Sequence, residues 1–244
     1  MHPWRVIGIA LIWLLAGVAA SYCVPFLLGF ISGVSQATAR AHGAAGWRLT
    51  PLIYSLAATV ALQATVLLAD LRQGRMLGNG NIMLGLGAGP VRRHKLIILL
   101  AVLMVGWVCV YLAALIHFQG LATSISTGLP AALAAQMRGR PIVLAIRLVL
   151  IVAVAPLAEE LFFRGWLWTA LRQSWSAWPT ALVTAGLWLV VHAVGGPVRV
   201  VILLPQAILL SVARHYGGSV RASLPIHVVN NVTAVGIQIA TVLL

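Results

Sequence analysis

The stretch that decides the fold covers residues 142–171 and reads IVLAIRLVLIVAVAPLAEELFFRGWLWTAL. It is mostly apolar and, at about 30 residues, exceeds the roughly 20 that a helix needs to cross a bilayer. Two of the chain's three acidic residues, Glu159 and Glu160, are adjacent inside it. An ionisable group at bilayer depth costs several kcal/mol unless it is paired, so this acid pair is the first candidate for a functional site.

The composition of the whole chain is that of a membrane protein. Of 244 residues, 61% are hydrophobic and only 8% are charged, with a mean hydropathy of +1.03. Soluble proteins are about 45–50% apolar and about 25% charged. These values exclude a water-soluble enzyme and a disordered chain, and Cys23 and Cys109 are too few for a disulfide scaffold. We therefore predict an all-α, polytopic integral membrane protein.

Apolar segments predict about seven transmembrane helices, at residues 6–31, 52–69, 96–118, 142–171, 181–194, 200–213 and 222–244. The segment 129–137 is predicted to be a short interfacial helix, and Pro156 is expected to kink the fourth span. Asp70 is assigned to the loop after the second span, with no part in the chemistry. Without a repeat or a long linker, residues 1–244 are predicted to form one membrane domain, whose active site lies in a C-terminal helix bundle at 142–244.

Basic residues exceed acidic ones by sixteen to three, which gives a formal net charge of +13. They lie singly or in pairs between apolar stretches, which is typical of membrane flanks that favour anionic lipids, and we expect no nucleic-acid partner. With seven spans, one side of the membrane receives Arg5, Arg72, Arg75, Arg92, Arg93, Lys95, Arg172, Arg214 and Arg221. The other side receives Arg40, Arg48, Arg138, Arg140 and Arg199. This asymmetry predicts a cytoplasmic N-terminus in the cell membrane.

Helix geometry separates the two adjacent glutamates. Glu160 and Arg164 are four residues apart with the acid first, which is the favourable order for an ion pair on one helix face. Glu159 points about 100° away from that face. We therefore expect Arg164 to neutralise Glu160, while Glu159 is free for another partner.

Three more polar residues lie on downstream apolar helices. His192 follows Trp188 by one turn, and Asn231 follows His227 at i+4, with Asn230 as a weaker alternative. A carboxylate and an imidazole can deprotonate a water molecule, and an imidazole and an amide can donate hydrogen bonds to an oxyanion. This set therefore predicts hydrolysis. No GxSxG or HExxH motif occurs, but Glu159, His192 and His227 are residue types that also bind zinc.

Three motifs resemble those of the CAAX-protease and bacteriocin-processing family, also called the Abi family, of intramembrane proteases, which is related to the type II CAAX prenyl endopeptidases. Residues 155–165, APLAEELFFRG, resemble its EExxxR motif. Trp188 to His192 is similar to its FxxxH motif, with Trp in place of Phe, and residues 223–231, SLPIHVVNN, are similar to its HxxxN motif.

The resemblance implies an intramembrane endopeptidase that hydrolyses a membrane-associated protein or peptide, which in some relatives is lipidated. Glu159 would be the water-activating carboxylate, assisted by His192, while Glu160 and Arg164 would complete the first motif structurally. His227 and Asn231 would form the oxyanion site. The resemblance favours a glutamate-dependent enzyme without a cofactor, although family members are often labelled metalloproteases and a zinc site is a further hypothesis.

Two other functional classes are consistent with the same residues. One is a catalytically silent member of the family that acts in bacteriocin immunity or as a scaffold. The other is a proton-coupled transporter with Glu159 as its relay, although no internal symmetry is visible. Counting depth along each helix puts His192 and His227 near opposite membrane faces. The site therefore requires tilted helices, or a connection at 214–221 that enters the membrane.

Overall fold

A computed structural model describes residues 2–41, 51–117, 141–193 and 196–243. These residues are helical almost throughout, and none of them lies in a strand, which confirms the all-α prediction for this part of the chain. The helices are α1 Pro3–Ala41, α2 Pro51–Leu77, α3 Ile82–Gly85, α4 His94–His117, α5 Pro141–Leu171, α6 Ala177–His192, α7 Pro197–Gly217 and α8 Val220–Leu243.

Four of the described helices contain segments long and apolar enough to cross a membrane: Pro3–Ala41, Ile53–Leu77, Pro141–Leu171 and Pro197–Gly217. Shorter apolar helices cover His94–Val110 and Ala177–His192. The predicted number of seven spans is not confirmed. In the first half of α8, residues such as Arg221, His227 and Asn231 dilute the apolar character. The predicted interfacial helix at 129–137 lies outside the described residues.

Large apolar side chains cover much of the outer surface. Tyr22 and Phe26 on α1 are 73% and 74% exposed, and Ile142 and Leu182 are 75% and 74% exposed. A water-soluble protein rarely exposes so much contiguous apolar surface, whereas lipid tails solvate it without cost. Together with the long apolar helices, this surface identifies an integral membrane protein.

The helices pack around two apolar clusters. The first joins α1, α2, α5 and α6 through Val6, Val66, Phe162, Trp166 and Trp188. The second joins α4, α7 and α8 and is formed by Ile97, Leu100, Met104, Val108, Leu210, Ala213, Ala222 and Ile226. Helices α5 to α8 also contact one another, so the residues of all three motifs come together where the two clusters adjoin.

Helix α5 is irregular around the acid pair. It contains π-helical turns at Leu150–Val154 and Glu160–Leu167, separated by an α-helical turn, Ala155–Glu159, which includes Pro156. Proline lacks a main-chain N–H, so it cannot continue the helical hydrogen bonds. The helical hydrogen bonding therefore changes on both sides of Pro156, while the expected kink stays a prediction. Such π turns often occur at functional sites.

Two charged residues that were expected in loops lie instead inside helices, where they are buried. Asp70 lies inside α2, which continues to Leu77, and it is completely buried. Among the described residues, its carboxylate oxygens have no hydrogen-bond partner. Arg214 lies inside α7 and is only 6% exposed, so it is not a flanking cation of the membrane surface. Both assignments were wrong because a single charged residue was taken to end an apolar helix.

Arg214 joins α7 to the end of α5. Its Nε donates to the carbonyl oxygen of Arg164 at 2.6 Å, and its Nη2 donates to Thr169 Oγ1 at 3.3 Å. Its guanidinium also lies 5.6 Å from the ring centre of Trp168. The loop before α4 approaches this contact at Gly87, which has a φ of +58°, and a Cβ atom on Gly87 would collide with Arg214.

We expect Gly87→Ala to destabilise the protein by about 2 kcal/mol, because both the positive φ and the missing Cβ are required there. In a chain of this size, the midpoint of thermal unfolding in detergent should fall by roughly 4–8 °C. Gly89→Ala is the matched control, since a Cβ atom on Gly89 meets nothing within 4 Å. Equal midpoints for the two variants would contradict this role of Gly87.

Candidate active site

Glu160 is held by a cation and an imidazole in the protein interior. Its Oε1 accepts a hydrogen bond from Arg164 Nη1 at 3.0 Å, and both side chains are completely buried. His227 Nδ1 lies 3.0 Å from the same oxygen. The predicted ion pair within α5 is therefore present, and Glu160 also connects α5 to α8.

Glu159 points away from this pair, as the helix geometry predicted. Its side chain is 20% exposed, and its Oε2 accepts a hydrogen bond of 2.6 Å from the indole Nε1–H of Trp188. The Nε2 atoms of His192 and His227 lie 3.8 and 3.9 Å from the same oxygen. These separations are too long for direct hydrogen bonds. Glu159 Oε2 is therefore the point on which three helices converge.

The protonation of His192 follows from its partner. Its Nδ1 lies 2.8 Å from the main-chain carbonyl oxygen of Trp188, one turn earlier in α6. A carbonyl oxygen only accepts hydrogen bonds, so Nδ1 carries the hydrogen. The Nε2 atom of the neutral ring is therefore an acceptor, and it faces Glu159.

His227 is oriented in the same way by Glu160. Because a carboxylate accepts hydrogen bonds, His227 Nδ1 carries the hydrogen towards Glu160, and Nε2 faces Glu159. In the neutral ring this Nε2 is an acceptor. It can donate to an oxyanion only in the imidazolium form, in which both ring nitrogens carry hydrogen.

Asn231 contacts the first π turn of α5. Its Nδ2 donates to the carbonyl oxygen of Ile151 at 2.8 Å, and its Oδ1 accepts from Asn230 Nδ2 at 3.0 Å. The main chain thus uses one of the two amide hydrogens of Asn231. Asn230, the weaker alternative from the sequence, orients Asn231.

A cavity of about 210 Å³ lies beside these groups. At roughly 30 Å³ per molecule, this volume has room for several waters. The polar side chains that line it are Glu159, His192, Arg199, Gln206, His227, Asn230 and Asn231. A larger groove on the outer face of α1 is lined by Tyr22, Cys23, Phe26 and Leu27 and contains none of the motif residues.

Two residues in this region were missed from the sequence. Trp188 was treated as an aromatic equivalent of Phe, yet its indole N–H donates to Glu159, and its ring lies 5.3 Å from the Arg164 guanidinium. Phe could not make the hydrogen bond, so the difference between the two residues was the available signal. Gln206 carries no motif signal, and only its polarity within the apolar helix α7 distinguishes it.

The metal hypothesis can be compared with this geometry. Within the described ranges, no group of three or more His, Cys, Asp or Glu side chains is arranged to hold a metal ion. Glu159, His192 and His227 are suitable ligand types, but Glu159 Oε2 already accepts the hydrogen bond from Trp188. This hydrogen bond uses only one oxygen of the carboxylate, so zinc binding by these three residues stays a hypothesis.

Comparison with known proteins agrees with the motif resemblance. A family model described as type II CAAX prenyl endopeptidase Rce1-like matches residues 141–233. No curated protein and no solved structure matches the chain. The matched range contains the acid pair with Arg164, the Trp188–His192 motif and the His227–Asn231 motif. Residues 141–233 of this membrane protein are thus similar to type II CAAX prenyl endopeptidases of the Rce1-like family.

Proposed function

We propose that the protein is an intramembrane endopeptidase that cleaves a peptide bond of a membrane-associated protein or peptide with an activated water molecule. The observation that carries the proposal is the convergence of His192 Nε2 and His227 Nε2 on Glu159 Oε2, at 3.8 and 3.9 Å, beside a cavity in the helix bundle. Such an arrangement places a base and two imidazoles within reach of one small molecule.

In the proposed reaction, Glu159 accepts a proton as the water oxygen attacks the peptide carbonyl carbon. His192 Nε2 accepts a hydrogen bond from the other hydrogen of this water and thereby orients it. The carbonyl electron pair moves onto oxygen, and the oxyanion is stabilised by hydrogen-bond donors on α8, for which His227 and Asn231 are the candidates. When the oxyanion collapses, the C–N bond breaks and the leaving nitrogen takes the proton from Glu159.

Water, rather than a bound metal, is the proposed reactant in this site. The hydrogen bond from Trp188 and the neutral Nε2 atom of His192 suit a carboxylate and an imidazole that share a water molecule. Since Glu159 and His192 alone activate the water in this proposal, we expect exhaustive chelation to leave cleavage unchanged.

The substrate and the setting are also proposals. The family match supports a substrate that is a membrane-associated protein or peptide, including a lipidated one. The net charge of +13 supports contact with anionic lipids. The distribution of Lys and Arg supports a cytoplasmic N-terminus in the cell membrane.

The proposal is tested by sequencing peptide termini in membranes that contain the wild-type protein or the His192→Ala variant. We expect new termini in wild-type membranes only, because His192 is needed to orient the water. His192 is 16% exposed, so the variant should fold. Identical termini in the two membranes would overturn the protease assignment. In that case, proton flux into liposomes that contain the wild-type protein would favour the transporter alternative. Absence of proton flux would favour a catalytically silent scaffold.

A further inference from the structure

Gln206 is a buried polar residue that has no role in the proposed reaction. It lies on α7, is 2% exposed and lines the cavity that also contains Glu159 and His192. Its amide nitrogen has no hydrogen-bond partner among the residues that the structure describes. Its neighbours on the same helix face, Leu203 and Leu210, are apolar.

Such a residue is unfavourable for stability alone. A buried amide group without a partner costs about 1–3 kcal/mol, whereas an apolar side chain of similar size would avoid this cost. Unsatisfied buried groups in native proteins therefore call for an explanation other than packing. In a cavity with room for several waters, water can satisfy such a group in the free protein, and the carbonyl oxygen of a bound substrate can replace that water.

The two donors on α8 that the proposed reaction assigns to the oxyanion are partly occupied. His227 uses Nδ1–H for Glu160, so its Nε2 accepts rather than donates in the neutral ring. Asn231 uses one of its two amide hydrogens for the carbonyl oxygen of Ile151. A developing oxyanion is stabilised best by more than one oriented donor. One further neutral donor in this cavity would complete that requirement.

We propose that Gln206 is a substrate-binding residue whose amide N–H donates to the carbonyl oxygen of the cleaved peptide bond, and to the oxyanion that it becomes. The inference rests on the proposed protease function. The last side-chain torsion of Gln is broad and roughly two-fold, so the amide can turn its NH₂ group into the cavity when a peptide enters. Gln206 then acts from α7, whereas the other candidate oxyanion donors lie on α8.

The test is Gln206→Met, which removes the amide but keeps an unbranched side chain of similar length. Gln63→Met is the matched control, since Gln63 is 7% exposed with an unpartnered Oε1 atom but lies on α2 and does not line the cavity. Four proteins are reconstituted in phosphatidylcholine–phosphatidylglycerol liposomes: the wild type, Gln206→Met, Gln63→Met and Glu159→Gln. The probe is an internally quenched peptide that carries the site cleaved in wild-type membranes.

We expect kcat to fall about 100-fold in Gln206→Met, as for the loss of one oxyanion donor, with KM changed less than about threefold. The unfolding midpoint should be unchanged or higher, because the removed amide nitrogen has no hydrogen-bond partner among the described residues. Gln63→Met should keep wild-type kcat. Gln206→Leu provides the same comparison if the Met variant does not fold.

The role of Gln206 is overturned if the kcat of Gln206→Met lies within twofold of the kcat of Gln63→Met. It is also overturned if Gln206→Met has a raised KM and an unchanged kcat. Either result leaves the protease assignment intact as long as cleavage depends on Glu159. If the wild type and Glu159→Gln cleave the probe equally, the protease function itself fails, and the role of Gln206 fails with it.

Discussion

Glu159→Gln should reduce kcat for peptide cleavage about 1,000-fold, because an amide cannot take the proton of the attacking water. The substitution isolates this chemical step. The glutamine oxygen can still accept the hydrogen bond that Trp188 Nε1–H donates to Glu159 Oε2 at 2.6 Å. Steady-state cleavage of the quenched peptide in liposomes, at saturating concentration, measures the effect.

The fold should be unaffected by this variant, since the Glu159 side chain is 20% exposed and the change is isosteric. We expect its thermal midpoint in detergent to lie within about 2 °C of the wild-type value, which corresponds to less than about 1 kcal/mol. A kcat within tenfold of the wild type would mean that another group is the base.

Arg164→Met should have the largest effect on stability. Arg164 and Glu160 are completely buried, and their atoms Nη1 and Oε1 are 3.0 Å apart. Removing one partner of a buried pair leaves an uncompensated charge and costs about 3–5 kcal/mol. The thermal midpoint in detergent should fall by roughly 10 °C, or the protein should fail to fold.

The double variant Glu160→Gln/Arg164→Met is the control for charge, because it removes both ions and keeps an acceptor for His227 Nδ1. It should recover most of the lost stability, since replacing both partners of a buried pair is often nearly neutral. If the double variant is as unstable as Arg164→Met, then packing of the guanidinium against Trp188, 5.3 Å away, and not the ion pair, is the dominant contribution.

Local features of the site could be predicted because they depend on helix geometry alone. Glu160 and Arg164 are one turn apart in α5, so their pairing needs no knowledge of the other helices. The same geometry directs Glu159 away from Arg164. Helix ends were less predictable: α1 continues to Ala41 and α2 to Leu77, because helical hydrogen bonding does not stop where hydropathy falls.

Counting the depth of each residue along its helix could not predict that His192 and His227 lie close together. It placed His192 and His227 near opposite faces of the membrane, yet both Nε2 atoms lie within 3.9 Å of Glu159 Oε2. The count assumed straight helices normal to the bilayer, whereas position along a helix does not determine depth once helices tilt. The turn between α7 and α8 is also partly buried, since Ser219 is completely buried and donates to the carbonyl oxygen of Gly89 at 2.6 Å.

By itself, the sequence determined the helical membrane class, the three motifs and the division of work expected between the adjacent glutamates. These properties follow from composition and from spacing within single helices. Only the tertiary structure decided that Trp188 donates to Glu159, that Asn231 binds the π turn of α5, and that Gln206 lines the cavity. Each of these contacts joins different helices, and their relative placement depends on packing across the bundle, which spacing along the chain does not encode.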